Sequence, residues 1–279
     1  MDEVTSKQQI LAMSETTEDV LDADAADLSP GSAIAKAFRL LDMIVKSPQP
    51  ISLNDLAARS AMPKASAHRM LLQLEAIGIV KRDLLGKRFS AGDDLAALAI
   101  DVIGALTKTP PVREIVQGLV NELGESCNLG ILDGNDVLYL ERIECDRPLR
   151  MHLPAGSRVP LHCTAVGKLV LAYMPERKAQ HLLEANGLPR FTESTITDIE
   201  ALVAQLGEIR RSGVSLNREE YTKGLIGAAV PVRGPKGTFV AGLAVHAPIF
   251  RMSIEQARVD AVPKLLRAAE RISAEIALG

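Results

Sequence analysis

The tightest constraint in this chain is the helix punctuation crowded into residues 47–92. Ser47-Pro48-Gln49-Pro50 stops any helix that enters it, because proline lacks an N–H and clashes with the preceding turn. That ends a first helix beginning at Ser32, whose Ile34, Phe38, Leu41 and Val45 share one face. Ser52 and Asp55 then form a capping-box-like pair, Asp standing in for Glu, and open a short helix through Leu56 and Ala57 to about Ser60. Ala61-Met62 breaks the chain, and Pro63 starts a third helix at the position where its missing N–H costs nothing. Ala67, Met70, Leu71, Leu74 and Ile77 supply the buried stripe of that helix, and Gly78 ends it. Two short alternating runs, 79–84 and 87–91, joined at Leu85-Gly86, read as a hairpin. Helix, short helix, turn, helix and hairpin predict a winged helix-turn-helix over residues 31–92.

Charge indicates what such a module would touch. The total of −3 hides three blocks. Residues 1–30 carry eight acids against Lys7, or −7; residues 31–92 carry ten Lys and Arg against Asp42, Asp55, Glu75 and Asp83, or +6; the remainder carries −2. Lys64, Ser66, His68, Arg69 and Gln73 fall on the polar side of the third helix, and Lys81, Arg82, Lys87 and Arg88 cluster on the hairpin. Donors near the N-terminus of a recognition helix reach base edges in the major groove, and Lys64 with the helix N-terminus suits a phosphate. The competing reading is a three-helix packing module with a solvated charged face. The basic hairpin and the local +6 favour double-stranded DNA. Five Phe, three Tyr and no Trp are too few rings for a single-strand stacking platform. Residues 1–30, ending in Leu28-Ser29-Pro30-Gly31, read as a disordered acidic tail, a candidate weak competitor with DNA for the wing.

A helix from Asp93 follows, with Leu95, Leu98, Val102 and Leu106 in one stripe and more apolar flanks than a lone surface helix carries. Its expected partner is the same helix of a second subunit. Thr107-Lys108-Thr109-Pro110-Pro111 ends it, which predicts a linker helix and hinge at 93–110 and a second domain at 111–279. That domain reads as α+β. Helices are expected at 112–125, 165–173, 175–185, 198–212 and 253–276. Strands are expected at 127–132, 137–143, 149–153, 214–219, 226–232 and 239–245. Asp133-Gly134-Asn135-Asp136 and Gly234-Pro235-Lys236-Gly237 are the hairpin turns. Cys127, Cys145 and Cys163 are too few and too scattered for a disulfide framework. With no apolar leader region and no run of about 18 apolar residues, a cytoplasmic chain is expected.

Catalytic and metal chemistry find little support. His162 adjoins Cys163, but neighbouring side chains rarely aim at each other and no third, orienting group is evident. His152, His162 and His246 lack metal-ligand spacing, and Gly167-Lys168 lacks the upstream glycine of a phosphate loop. No catalytic residue, metal or cofactor is therefore expected. Glu141, Arg142 and Arg150 read as solvated or paired strand charges, with Arg150 also a candidate carboxylate clamp. Cys127 and Cys145 read as inert. An enzyme acting on a small acid and a pure interaction module are the competing functional classes.

Over residues 32–279 the chain resembles the IclR family of bacterial transcriptional regulators. SLNDLAARSAMPKASAHRMLLQLEAIGIV is similar to the family's helix-turn-helix, including the core at Pro63–Arg69, and Gly86-Lys87-Arg88-Phe89 is similar to its wing tip. Leu161-His162-Cys163-Thr164-Ala165-Val166-Gly167-Lys168 resembles the opening of the effector-domain helix. Gly213, Asn217, Glu220 and Gly227 follow the family signature, departing from it at Asn217 (usually Asp) and Gly227 (usually Cys, Ser or Ala). The resemblance implies a GAF-like sensor domain with a curved antiparallel sheet, assembled as dimers or dimers of dimers. It implies a small-molecule cleft floored by Ala165 and Val166 and lined by Met151, Asn217, Leu225, Gly227, Ala244 and His246. Thr164 or Cys163 stands at the N-cap, so the Ala165, Val166 and Gly167 N–H groups are expected to be free for a carboxylate. Gly227 and Ala244, smaller than serine, are expected to widen the cleft for an acid bulkier than glyoxylate, such as one containing a ring.

Overall fold

The computed structural model describes residues 32–83, 87–148 and 150–278. The acidic tail at 1–30 and the Leu85-Gly86 turn lie outside the described residues. Two compact units meet between Leu95 and Ala96, inside the helix that begins at Asp93. In the first unit, α1 (Ala33–Lys46) opens on Ser32, whose hydroxyl accepts from Ala35 N at 3.1 Å. Its buried face is Leu40 and Ile44, so Ile34, Phe38 and Val45 stay exposed. Ser52 caps α2 (Leu53–Ser60) by accepting from Asp55 N. Ala61 closes α2 in the left-handed region (φ 54°), and its N–H donates to Ala57 O and Ala58 O. Pro63 takes the N-cap of α3 (Lys64–Ala76), one position earlier than expected. The predicted hairpin is β2 (Val80–Arg82) and β3 (Arg88–Ala91). A short β1 (Ile51–Ser52), unmarked by any alternating pattern, pairs with β3 to make a sheet in the order β1-β3-β2. Leu40, Leu56, Leu71, Val80 and Phe89 close the core beneath it.

In the second unit, α4 (Asp93–Thr107) packs Ile100, Ile103 and Leu106 on the core and leaves Leu98 and Val102 half exposed. Pro110-Pro111 does not merely stop a helix: α5 (Pro110–Leu123) begins there, prolines being well suited to a first helical turn. Six strands follow: β4 (Ser126–Asp133), β5 (Asp136–Ile143), β6 (Arg158–Pro160), β7 (Ser215–Arg218), β8 (Leu225–Arg233) and β9 (Phe239–Pro248). They form one antiparallel sheet in the order β6-β5-β4-β9-β8-β7. The strand expected at 149–153 is not formed: residues 150–154 have no ladder partner, residue 149 lies outside the described residues, and β6 takes the edge beside β5. No described helix is long and apolar enough to cross a membrane.

The two faces of this sheet differ. On one, α5 and α9 (Val262–Leu278) cover Cys127, Leu129, Ile131, Val230 and Leu243. On the other lies α6 (Ala165–Tyr173), buried over nearly its whole length and backed by α7 (Glu176–Asn186) and α8 (Ile199–Ser212). Gly130 and Gly242 face each other across β4 and β9 under this helix. A Cβ on either would fall within 3.1 Å of Val166 Cγ1, so only glycines let α6 lie this low. Gly167 in α6 sits equally close to the incoming loop, with a Cβ position 2.2 Å from Leu161 O. Alanine normally outperforms glycine inside a helix by about 1 kcal/mol. Here Gly167→Ala must displace backbone, and a net loss of about 1–3 kcal/mol is expected. The urea midpoint of the variant checks this; a rise in midpoint would mean the 161–163 segment yields freely.

Candidate DNA-reading surface and ligand cleft

Lys64, His68, Arg69 and Gln73 are exposed along α3, and Ser66 is half-buried on its first turn. Lys81, Lys87 and Arg88 are exposed on the hairpin. Lys64 and His68 join Lys87, Arg88 and Asn54 around an open groove of about 450 Å³ between the recognition helix and the wing. Asp83 steadies the wing by accepting from Lys87 N and Arg88 N. Arg82 departs from the expected backbone-facing role. It pairs with Glu75 at 2.9 Å and lies over the Phe89 ring at 5.1 Å, clamping the hairpin to α3. Lys81 meets Asp93 at 2.6 Å in an exposed pair, which solvent screening leaves weak enough to exchange.

In the second unit, strand register decides which side chains share the face under α6. Asn217 opposes Gly227, Gly227 opposes His246, and Ala244 opposes Asn128; all lie on the α6 side, as does Leu225 two residues from Gly227. At the start of α6, the Thr164 hydroxyl accepts from Gly167 N at 3.1 Å. Gly167 is therefore not among the free donors, and the first-turn N–H groups without an intrahelical acceptor are those of Ala165 and Val166. Asn217 Nδ2 donates to Cys163 O, and Asn217 Oδ1 accepts from Glu220 N, so this amide ties the helix entrance to β7. Beneath it, Lys168 and Glu220 form a buried ion pair at 2.6 Å, with Lys168 also donating to Leu216 O. Burial lowers the Lys168 pKa, and Glu220 opposes that shift.

Gly227 does not enlarge the cleft. A Cβ there would lie 2.9 Å from His246 Nδ1, so the imidazole already fills that room. The largest departure from the sequence reading is Arg142. A register shift between β4 and β5 leaves Leu140 unopposed: Gly130 pairs with Tyr139, and Leu129 with Glu141. This slip turns Glu141 toward α5, where it meets Arg113 at 2.7 Å, and turns Arg142 onto the α6 face opposite Asn128. The Arg142 side chain is 1% exposed. Its Nη2 donates to Met151 O, which brings the Met151 segment to the rim. Among the described residues, its Nε and Nη1 have no partner within normal hydrogen-bond geometry; nor do the His246 Nε2 and the Asn128 amide, which lies beside the Tyr139 phenol. Tyr139 lies beside them, its ring 6.4 Å from that of His246, and burial raises its phenol to about 12. Buried polar groups left unpaired are rare in folded proteins and cluster at sites that a ligand completes. Arg150, the expected clamp, is instead held by Glu144 at 2.7 Å on the exposed side.

His162 and Cys163 do not form a nucleophile and base. His162 Nε2 meets Pro189 O at 3.0 Å, and burial pushes the Cys163 thiol up to about 12, far from a thiolate. Among the described residues, no three His, Cys, Asp or Glu side chains gather as a metal-ligating group.

A winged helix-turn-helix with a bare basic groove, joined to a sheet domain with an enclosed polar face, defines a DNA-binding regulator with a sensor domain. The family models "IclR helix-turn-helix domain" and "Bacterial transcriptional regulator IclR C-terminal" match residues 33–84 and 108–274. The chain belongs to the IclR family of bacterial transcriptional regulators. It is 39% identical over 241 residues to the "Probable transcriptional regulator SauR" of Cupriavidus necator, covering 86% of this chain and 95% of that one. It is 30% identical over 245 residues to the regulator KdgR of Escherichia coli, covering 88% and 92%. Among solved structures it is similar to the IclR protein of Thermotoga maritima, with TM-score 0.57 and 28% identity over 87% of this chain and 98% of that one. It is also similar to an IclR homologue from Microbacterium hydrocarbonoxydans complexed with 4-hydroxybenzoate, with TM-score 0.55 and 25% identity over 88% and 99%.

His246 makes the cleft sensitive to acid. Burial, with Arg142 nearby, pushes its pKa down to about 3, although the residue as a whole keeps partial exposure. The unfolded chain takes up a proton near pH 6.5 that the folded one refuses. Stability is therefore complete above pH 6.5 and falls as pH drops toward 3, by about 1.4 kcal/mol per unit. His246→Gln removes this dependence. Between pH 6.5 and 4.5 the wild type is expected to lose about 2 kcal/mol more than the variant. Urea unfolding followed by tyrosine emission measures it, since Tyr139, Tyr173 and Tyr221 all lie in the second unit.

Proposed function

We propose that this chain is a sequence-specific regulator whose hold on double-stranded operator DNA is modulated by a small organic acid bound on the α6 face of the sheet. The observation that carries the DNA half is the groove between α3 and the wing, where Lys64, His68, Lys87 and Arg88 converge, their side chains in no ion pair among the described residues. Ser66, Arg69 and Gln73 on the same helix would read base edges, while Lys64 and the wing cations would hold phosphates. Residues 31–92 serve as the reading head, 93–110 as linker helix and hinge, and 111–279 as the effector-binding domain. The half-exposed Leu98 and Val102 of α4 suit a second copy of the chain, in a dimer or dimer of dimers. The ligand half rests on the Ala165 and Val166 N–H groups at the start of α6, a natural seat for a carboxylate. An acid with a body bulkier than glyoxylate is favoured by the similar structure complexed with 4-hydroxybenzoate.

Arg69→Ala is expected to lose about 1–3 kcal/mol of specific binding while leaving non-specific binding nearly intact. Lys87→Ala should weaken all sequences alike and lower the slope of log affinity against log salt by about one. Mobility-shift titrations of cognate and random duplexes at several salt concentrations separate the two roles. Binding of ligand and operator must be reciprocal: operator DNA changes ligand affinity by the same factor as ligand changes operator affinity. Equal ligand dissociation constants with and without operator would refute the modulation.

A further inference from the structure

From the cluster around Arg142 we infer that the effector is a small acid with two anionic ends, one seated at the start of α6 and the other on the Arg142 guanidinium with the Asn128 amide. This rests on the acid-sensor reading above and adds the ligand's second charge and the side chain that selects it.

The charge around Arg142 does not cancel. Glu144 lies 3.8 Å from Arg142 Nε, too far for a hydrogen bond. That carboxylate is already engaged by Arg150 at 2.7 Å and by His152 at 2.9 Å. Glu141, the next acid along, faces the opposite side of the sheet and is taken by Arg113. Glu125 is held by Arg251 at 2.6 Å. Two guanidiniums and one carboxylate thus meet at the cleft rim and leave one positive charge over. It is carried by the most buried of the three. An uncompensated buried cation is costly, and removing such cost on binding is how a protein selects a ligand of opposite charge. The free donors are arranged for an oxyanion. Nε and Nη1 of Arg142 are buried donors without a partner among the described residues, on separate edges of the guanidinium, so an oxyanion there receives charge-assisted hydrogen bonds that the chain does not supply. Asn128 stands directly opposite on the neighbouring strand, its amide beside the Tyr139 phenol. His246 is neutral at physiological pH, adding a hydrogen-bonding nitrogen rather than a second cation. The α6 N-terminus supplies the other anion seat from the covering layer. An acid with two anionic ends completes both seats.

Calorimetry on the full chain with matched pairs of acids tests this: succinate against butyrate, glutarate against valerate, and terephthalate against 4-methylbenzoate. In at least one pair the dianion is expected to bind ten-fold or more tightly than its monoanionic partner. Arg142→Gln should erase that preference while leaving monoanion affinity within about two-fold. Arg142→Lys, which keeps the charge but not the several fixed donors of the guanidinium, should retain a reduced preference, and tyrosine emission verifies that both variants are folded. Monoanions and dianions binding equally in every pair, or a preference that survives Arg142→Gln, would overturn the two-ended ligand while leaving the acid sensor standing. If no acid of either kind binds the wild type, the acid-sensor reading falls and this inference with it.

Discussion

The second unit depends on how low α6 can lie on the sheet. Gly130 and Gly242, opposed across β4 and β9, remove the two side chains that would hold the helix off, and Val166 occupies the space. Everything distinctive about that face follows from the close approach. It buries the helix entrance at Thr164–Val166, brings Cys163 O within reach of the Asn217 amide, and encloses the Lys168–Glu220 pair where solvent cannot screen it. Breaking such a pair from one side typically costs about 3–5 kcal/mol, since the survivor is left charged and buried. Thr192 and Thr195 add bonds to the backbone at Glu219 and Glu220, so the helix entrance, β7 and the loop ahead of α8 act as one polar network. A ligand engaging Ala165, Val166 or Asn217 would press directly on that network.

The same sheet has been given opposite characters on its two sides. Toward α5 and α9 it is aliphatic and closely packed. Toward α6 it carries Asn128, Arg142, Asn217 and His246, with several polar atoms unpaired inside the chain. A sheet of this kind is stabilised by its first face and free to specialise its second. The first unit divides its labour similarly. Leu40, Leu56, Leu71 and Phe89 hold three helices and a small sheet together, while Arg82, drawn inward to Glu75, fixes the wing against α3. The remaining cations are left to face outward around a common groove.

The order of elements in the first unit was legible because each boundary has its own local chemistry: Ser32 and Ser52 as caps, Pro48-Pro50 as a stop, Ala61-Met62 as a break. Register places the candidate residues Asn217, Leu225, Gly227, Ala244 and His246, which entered through resemblance, on one face of the sheet beneath the helix that carries Ala165 and Val166, whereas Thr164 was legible as the cap of that helix. Short β1 and β6 went unseen because a strand of two or three residues shows no period and exists only through its partner. Local rules could name Arg82 as basic, but Glu75 and Phe89, which claim it, are brought beside it only by the fold.

The sequence by itself determined that this chain carries a basic winged helix-turn-helix, a mainly apolar α+β second unit, and a capped helix at Thr164 whose first N–H groups need a partner. Those properties reside in spacing, capping and composition, which act over a few residues. Only the tertiary structure decided which charge enters the cleft. Side chains on a strand alternate faces, so a one-residue slip opposite Leu129 and Gly130 exchanges Glu141 for Arg142. Nothing in the order of letters from 137 to 143 announces that slip; it exists only in the pairing of β5 with β4. It also decided that His246, not empty space, occupies the room left by Gly227, because two strands far apart in sequence meet there side by side.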